Sequence, residues 1–442
     1  MKKVLLILFA IITITTNAQC WESIATGHDH TIALKSDGTI WTWGSNAEGQ
    51  LGTGITQNES TPVQVGSANT WAWVAVGGYY SIAIKNDGTL WAWGANESGQ
   101  LGNGTNTASA VPLQIGTDTN WATVTSGESH TLAVKTNGTL WAWGLNQNNQ
   151  LGDTTIINRV IPLQIGTATN WRTVSAGTFH SAAIKTDGTL WTWGNNNWGQ
   201  LGTASYGIYQ FSFPVQISIE TNWQSLSLSQ ENTIAFKADG TIWVCGTNYD
   251  AGLTNIGQGN SWQAAICSAQ NIYAIDQDGG LWAAGSNALG QMGIDWQPEI
   301  TELVPVNNDT NWQFISSKLS SVAGIKTDGT LSMWGLNDHG QLANPSIDNY
   351  SASPTQVSCT TAGLGTPLAQ NVVLYPNPVK DILYIDAKGL AINTILITDV
   401  TGKTIISQNN ASQINVQQLP AGMYFVKIIS GQNTYQDKFI KQ

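Results

Sequence analysis

Apolar and polar positions alternate in short runs along most of this chain, and one run returns about every fifty residues. Stretches such as HTIALK (30–35) and TLWAWG (139–144) place apolar side chains two apart, the period of a β-strand. A two-residue Asp-Gly separates such runs, or Asn137-Gly138 in the third copy, which is a strong hairpin signal. Residues 27–54 read GHDHTIALKSDGTIWTWGSNAEGQLGTG, and residues 77–104 read GGYYSIAIKNDGTLWAWGANESGQLGNG. The pattern repeats at 127–152 and 177–202, and degraded copies follow near 229–253, 268–293 and 318–342. The first Trp of a W-x-W pair falls at Trp41, Trp91, Trp141, Trp191, Trp243 and Trp282, with Ser332 in the seventh copy. The spacings are 50, 50, 50, 52, 39 and 50, so seven units are strung in line.

Each copy predicts four strands. One begins at Trp21, Trp71, Trp121, Trp171, Trp223, Trp262 or Trp312. The HTIALK-like and TLWAWG-like runs follow, then a PVQI-like strand such as Pro162 to Ile165, which the short fifth copy lacks. Four short strands per repeat are the signature of a propeller blade. The predicted fold is all-β: a seven-bladed β-propeller over 19–359, then a small C-terminal β-sandwich. Trp91 and Trp93 project from one face of their strand, with a small residue between them, so neighbouring blades can nest. Each Trp buried this way contributes several kcal/mol, at roughly 25 cal/mol per Å² of apolar surface. The W-x-W pairs are therefore read as core. The Asn of W-G-x-N recurs seven times, from Asn46 to Asn337, and is read as a cap on the turn backbone.

Charge narrows the function. The net charge is −11, and only 10% of residues are charged. Six of the 17 basic residues sit at one repeat position: Lys35, Lys85, Lys135, Lys185, Lys237 and Lys326. Spread around a ring, they form no patch, which argues against a nucleic-acid partner. Residues 1–18 read as a signal peptide, with Lys2 and Lys3 before an apolar core from Val4 to Ile14 and a small residue at Ala18. That core is short for a bilayer span, and no later segment is apolar enough, so the mature chain is expected to carry no integral membrane segment. Gln19 stands before Cys20 where a lipoprotein needs a small residue.

The string G-x-x-H-T-x-A-L-x-x-D-G-x-x-W-x-W-G-x-N-x-x-G-Q-L-G resembles the repeats of the regulator of chromosome condensation family. The match covers 21–357 and is specific in the first four copies; Cys245 and Ser332 depart from it later. The resemblance implies a seven-bladed propeller. That family's nucleotide exchange and chromatin binding need a nuclear setting, which an exported acidic chain does not offer, and fold alone does not carry function. After the linker at 360–370 composition shifts: Trp disappears, and Ile, Val and Lys rise. Residues 371–442 closely resemble the C-terminal sorting domain of the type IX secretion system of Bacteroidota. Tyr375, Pro376, Asn377 and Pro378, then Gly422, Tyr424 and Lys427, and the final Lys438-Phe439-Ile440 carry the likeness. Alternation at Ile382/Tyr384 and Ile395/Ile397 fits a small sandwich. The resemblance implies handling by the type IX machinery, cleavage of the domain, and a location that is secreted or on the outer cell surface.

The search for chemistry yields no catalytic set, no metal spacing and no cofactor motif. His30, His130 and His180 share one repeat position and are read as structural. Asp276-Gln277-Asp278-Gly279 lacks the later ligands of a calcium loop. Cys20 precedes the first blade and Cys359 follows the last strand. Laid over the internal junction 162–171, they fall about three residues apart, so ring closure predicts a Cys20–Cys359 disulfide. Closing so long a loop contributes about 4–5 kcal/mol in the chain-entropy model. Cys245 and Cys267, in neighbouring copies, are a second candidate pair. One irregularity points outward: extra aromatics at Trp198, Tyr206, Tyr209, Phe211 and Phe213 in the fourth copy, Tyr249 in the fifth and Trp296 after the sixth. Two readings stay open: loops packed on themselves, or an exposed surface on one side of the disc for stacking sugars or docking a protein. The expected function is a non-enzymatic binding or adhesion propeller with an extracellular glycan or protein ligand. The alternative is a polysaccharide-degrading enzyme, which needs two convergent carboxylates. Glu48, Glu97, Glu128 and Glu231 lie in different copies.

Overall fold

Seven four-stranded antiparallel sheets carry the seven repeats, each built from strands consecutive in sequence. Blade 1 consists of Trp21–Thr26, His30–Lys35, Ile40–Gly44 and Glu59–Gln64. Blades 2, 3 and 4 begin at Trp71, Trp121 and Trp171, and blades 5, 6 and 7 at Trp223, Trp262 and Trp312. This computed structural model describes residues 20–205, 209–259, 261–294, 299–359, 373–386, 392–398, 404–420, 422–430 and 433–442. The expected signal peptide and the 360–370 linker lie outside them. The first strands of adjacent blades pack against one another all the way round, blade 7 returning to blade 1. They are the inner wall of a seven-bladed propeller. The fourth strands are its rim, and Pro62, Pro112, Pro162, Pro214 and Pro354 interrupt those open edges.

Blade 5 corrects the strand reading. It has a fourth strand, Thr254–Ile256, paired with Ile242–Val244. The shortened loop returns the chain in time for only three residues of pairing.

The seams between blades explain the repeat. Trp43, Trp93, Trp143 and Trp193 are fully buried. Each donates its indole N–H to the main-chain oxygen of a glutamine in the preceding blade: Gln341, Gln50, Gln100 and Gln150, at 2.8–2.9 Å. The same oxygens accept Ser or Thr hydroxyls: Ser81 Oγ reaches Gln50 O at 2.8 Å, and Ser181 Oγ reaches Gln150 O at 2.7 Å. Gly52 stands so close to Trp93 that a Cβ would lie 2.6 Å from Nε1, and its φ of +70° also favours glycine. Asn46 caps its turn, as the repeat predicts: Oδ1 accepts Leu51 N–H at 2.9 Å, and Nδ2 donates to Ile55 O and Gln57 O.

Five of the six lysines are clamped between two tryptophans. Lys135 Nζ lies 4.5 Å from the Trp121 ring and 3.7 Å from the Trp141 ring. Lys35, Lys85, Lys185 and Lys237 repeat this between two rings, and Lys326 has Trp312 alone because Ser332 replaces the partner. A cation over an indole face is worth up to about 2 kcal/mol when desolvated. The turn Asp feeds the same cluster: Asp87 Oδ1 accepts Thr89 Oγ1 at 2.6 Å, and Thr89 Oγ1 accepts Trp91 Nε1 at 2.9 Å.

Among the described residues no strand is exchanged between blades 1 and 7. Cys20 and Cys359 are joined there by a disulfide, with Cα atoms 6.1 Å apart. Cys245 and Cys267 are free, buried thiols, so the second pairing does not form. Cys245 Sγ faces Gln200 O at 3.5 Å, whereas Cys267 Sγ faces Ser227 O at 3.1 Å; each is already engaged with its own seam.

The chain divides into two compact units between Cys359 and Thr360. In the second, a three-stranded sheet (Val373–Tyr375, Ile382–Asp386, Gln413–Asn415) and a four-stranded sheet share one core. The four-stranded order is Thr404–Asn409, Thr394–Thr398, Gly422–Ser430, Asn433–Lys441. Ile395 and Ile397 point inward, as predicted. In the neighbouring strand the buried pair is Leu383 and Ile385, so Ile382 and Tyr384 occupy the outer face. Tyr384 there stacks on Tyr375 at 5.5 Å. Among the described residues no helix is long and apolar enough to cross a membrane.

Candidate binding face and central channel

Strands alternate in direction, so the loops after the first and third strands of every blade share one side of the disc. That side surrounds one mouth of a central channel of about 400 Å³. The wall is largely small and polar: Ala25, Ala75, Thr125, Ser175, Ser227 and Ser316 come from six blades.

At this mouth three ionisable groups meet. His28 Nε2 lies 2.6 Å from Glu128 Oε2, linking blade 1 to blade 3. Lys318 reaches from blade 7 across the channel and donates Nζ–H to Gly127 O at 3.1 Å. It is enclosed by protein yet still reached by channel solvent. Burial lowers its ammonium to about 8, and Glu128 opposes the shift. For Glu128 burial favours the neutral acid, but the His28 hydrogen bond, the His28 charge and the Lys318 charge outweigh it; the carboxyl lies below its ordinary value. Blade 7 places Lys318 there by a local change. Its first strand runs on to Lys318, and a two-residue turn with Leu319 at φ +54° replaces the three-residue loop of blade 1.

A second cluster bridges blades 7 and 1. Asp29, Asp338 and His339 bring ligand atoms within 4.8 Å of one another. Two carboxylates and an imidazole are a donor set that a divalent cation accepts. Burial raises the Asp29 carboxyl, the His339 charge opposes, and the Asp338 charge adds to the rise.

The aromatic residues divide. Trp198 and Tyr209 are exposed, at 52% and 68%, on the loop after the third strand of blade 4. Asn196 N–H donates to Tyr209 O at 2.7 Å and ties the loop ends together. Phe211 is half-buried against the core of blades 3 and 4, and Tyr249 against that of blades 5 and 6. Phe213 is exposed on the rim strand. Tyr206 and Trp296 lie outside the described residues. Sequence reading missed Tyr79 and Phe179, exposed at 41% and 39% in the loops after the first strands of blades 2 and 4. Both sit one residue before the repeated His position, which is the signal that marks them.

Comparison with known proteins agrees with this architecture. The RCC1-like domain model matches residues 10–264, more than half of the chain. The chain belongs to the RCC1-like domain family. The secretion system C-terminal sorting domain matches residues 373–442, so this RCC1-like propeller carries a type IX sorting domain that marks it for secretion or the cell surface. Prp20p of Saccharomyces cerevisiae superposes with a TM-score of 0.66 at 16% identity, over 78% of this chain and 90% of that one. Human WBSCR16 gives 0.64 at 17% identity, over 72% and 94%. Likeness at such identity is one of fold.

The histidines of the RCC1-like repeat are structural. Ser81 Oγ gives its proton to Gln50 O, so it accepts from His30 Nε2 at 3.1 Å. His130 and His180 repeat the contact with Ser181 and Thr233, at 3.0 and 2.9 Å. Burial lowers all three imidazoles to about 3. Tyr375, Pro376, Asn377 and Pro378, expected from the sequence to carry the sorting signal, form an exposed segment of the C-terminal unit. Gly422 is exposed, Lys427 is half-buried, and Tyr424 is buried with its hydroxyl donating to Pro420 O at 3.0 Å.

Proposed function

We propose that the mature protein is an exported, non-enzymatic binding propeller, displayed on or released from the bacterial surface by the type IX system. It engages an extracellular glycan or protein through the side of the disc that bears Tyr79, Phe179, Trp198 and Tyr209. One observation carries this reading. The repeat tryptophans are consumed by the core and the seams, yet four further aromatics are held in solvent on loops of a single side. Large exposed aromatics grouped this way suit sugar stacking or protein docking. Binding of the mature chain to a broad glycan array tests it. Saturable binding to one glycan class that is lost with Trp198→Ala and Tyr209→Ala supports a glycan ligand. A blank array followed by capture of a protein partner that the same variants lose supports a protein ligand. Binding that survives both substitutions overturns the placement.

The Asp29 and Glu128 carboxyls at the channel mouth give the hydrolase reading its footing, because one is raised and the other lowered. Turnover of a bound glycan that Asp29→Asn abolishes would favour it.

A further inference from the structure

The clamped lysines differ in one respect that the repeat makes plain. Seventeen residues before the lysine, blades 3, 5 and 7 carry an acid. Asp118 meets Lys135 at 2.6 Å, Glu220 meets Lys237 at 2.7 Å, and Asp309 meets Lys326 at 2.8 Å. Blade 6 has Asp276 in place of the lysine. In blade 4 the residue seventeen positions before Lys185 is Ala168. The Lys185 ammonium still lies 4.7 Å from the Trp171 ring and 3.8 Å from the Trp191 ring. Among the described residues no carboxylate forms a close ion pair with it; the charge of the turn residue Asp187 acts on it without one.

That lysine lines a cavity of about 430 Å³ between blades 3 and 4, bounded also by Ala168, Trp191, Gln164, Phe213 and Pro214. The volume is within the range of small-ligand sites. Asp153, also in the wall, is occupied by Arg159 at 2.6 Å and does not answer Lys185. Lys85 likewise has an alanine, Ala68, seventeen residues before it.

We propose that this cavity binds the carboxylate of a uronic-acid sugar. The carboxylate takes the place that Asp118, Glu220 and Asp309 fill in their own blades. The sugar ring lies against the apolar surfaces of Trp191 and the exposed Phe213, which favour a ring with a C–H face. The site is independent of the aromatic loops proposed above. Burial lowers the Lys185 pKa, and a bound carboxylate would offset that cost.

The test is calorimetric titration of the full mature chain with sodium D-galacturonate, with D-galactose as the neutral control. The expected result is saturable binding of galacturonate, at least about tenfold weaker for galactose. Lys185→Met keeps the stem between the rings, removes the charge, and should weaken binding tenfold or more. Ala168→Asp supplies the internal acid of blades 3, 5 and 7; it should abolish binding while the protein stays folded. Trp198→Ala should leave galacturonate affinity unchanged, which separates this site from the face proposed above. Equal affinity for galactose, no binding by the parent chain, or parent-like binding by Ala168→Asp overturns the proposal. So does binding of a glutamate-rich peptide in preference to galacturonate.

Discussion

Blades 1–4 and blades 5–7 close one ring with different side chains. In the regular blades a glutamine main-chain oxygen takes two donors from the next blade, a hydroxyl and an indole. In blade 5 Thr233 supplies the hydroxyl at 2.8 Å, and Cys245 stands where the indole would be. In blade 6 Asp276 replaces the clamped lysine and accepts Trp282 Nε1 at 2.7 Å instead. The repeat conserves a set of interactions more strictly than a set of residues. A buried donor needs an acceptor and a buried ring needs a partner, and several residue types satisfy each demand.

The contrast is broken most severely at the seam between blades 7 and 1, the first and last parts of the chain to join. Cys359→Ser removes the covalent closure across 339 residues. It should cost about 5 kcal/mol in the chain-entropy model, read as a fall in the denaturant midpoint. A midpoint unchanged by reduction would mean that the Trp43–Gln341 and Thr31–Gln341 contacts hold the ring unaided. Next come the indoles. Trp143→Ala should cost about 3–5 kcal/mol through its cavity and a lost donor. Cys245→Ala, at the equivalent position in blade 5, should cost about 1 kcal/mol, since less volume is lost there. Equal costs would show that blade 5 depends on its thiol as blade 3 does on its indole.

Smaller effects separate the lysines. Lys135→Met deletes a buried cation held by two rings and Asp118, and should cost about 1–2 kcal/mol. Lys185→Met should cost less, because Lys185 has no ion pair of the kind Asp118 gives Lys135, and only the charge of Asp187 opposes its burial. Thermal midpoints of the two variants, measured side by side, decide the order.

Most of this fold was legible in the chain. The W-x-W spacing, the Asp-Gly turns and the cysteine positions all report on local geometry or on chain ends. Alternation failed at Ile382 and Tyr384, where two apolar pairs interleave on one strand and only packing chooses the face. The channel mouth was illegible for a different reason. His28, Glu128 and Lys318 come from blades 1, 3 and 7, and each stands at a variable position of its own repeat. Only the closing of the ring brings them together. Exposure was equally opaque: Trp198 and Tyr249 belong to corresponding loops, yet one stands in solvent and the other packs on the core.

The last prediction concerns the smallest change at neutral pH. His30, His130 and His180 are buried and neutral, and burial is the first cause of their low values; nearby charge adds to it at His30 and His130. Each folded value is about 3 against an ordinary 6.5, so between these limits the unfolded chain binds more protons than the folded one. Stability from these groups is whole above about pH 6.5 and falls as the pH drops towards 3. Blades 5, 6 and 7 have Asn232, Asn271 and Ser321 at this position, which do not titrate there. His130→Asn should therefore cost only about 0.5–1 kcal/mol at pH 7, through the lost Ser181 contact. At pH 4.5 the penalty should shrink or reverse, because one proton fewer drives unfolding. Denaturant midpoints at both pH values read this out. A penalty that does not change with pH would mean that the imidazole is protonated in the fold, and that its Nδ1 has found an acceptor.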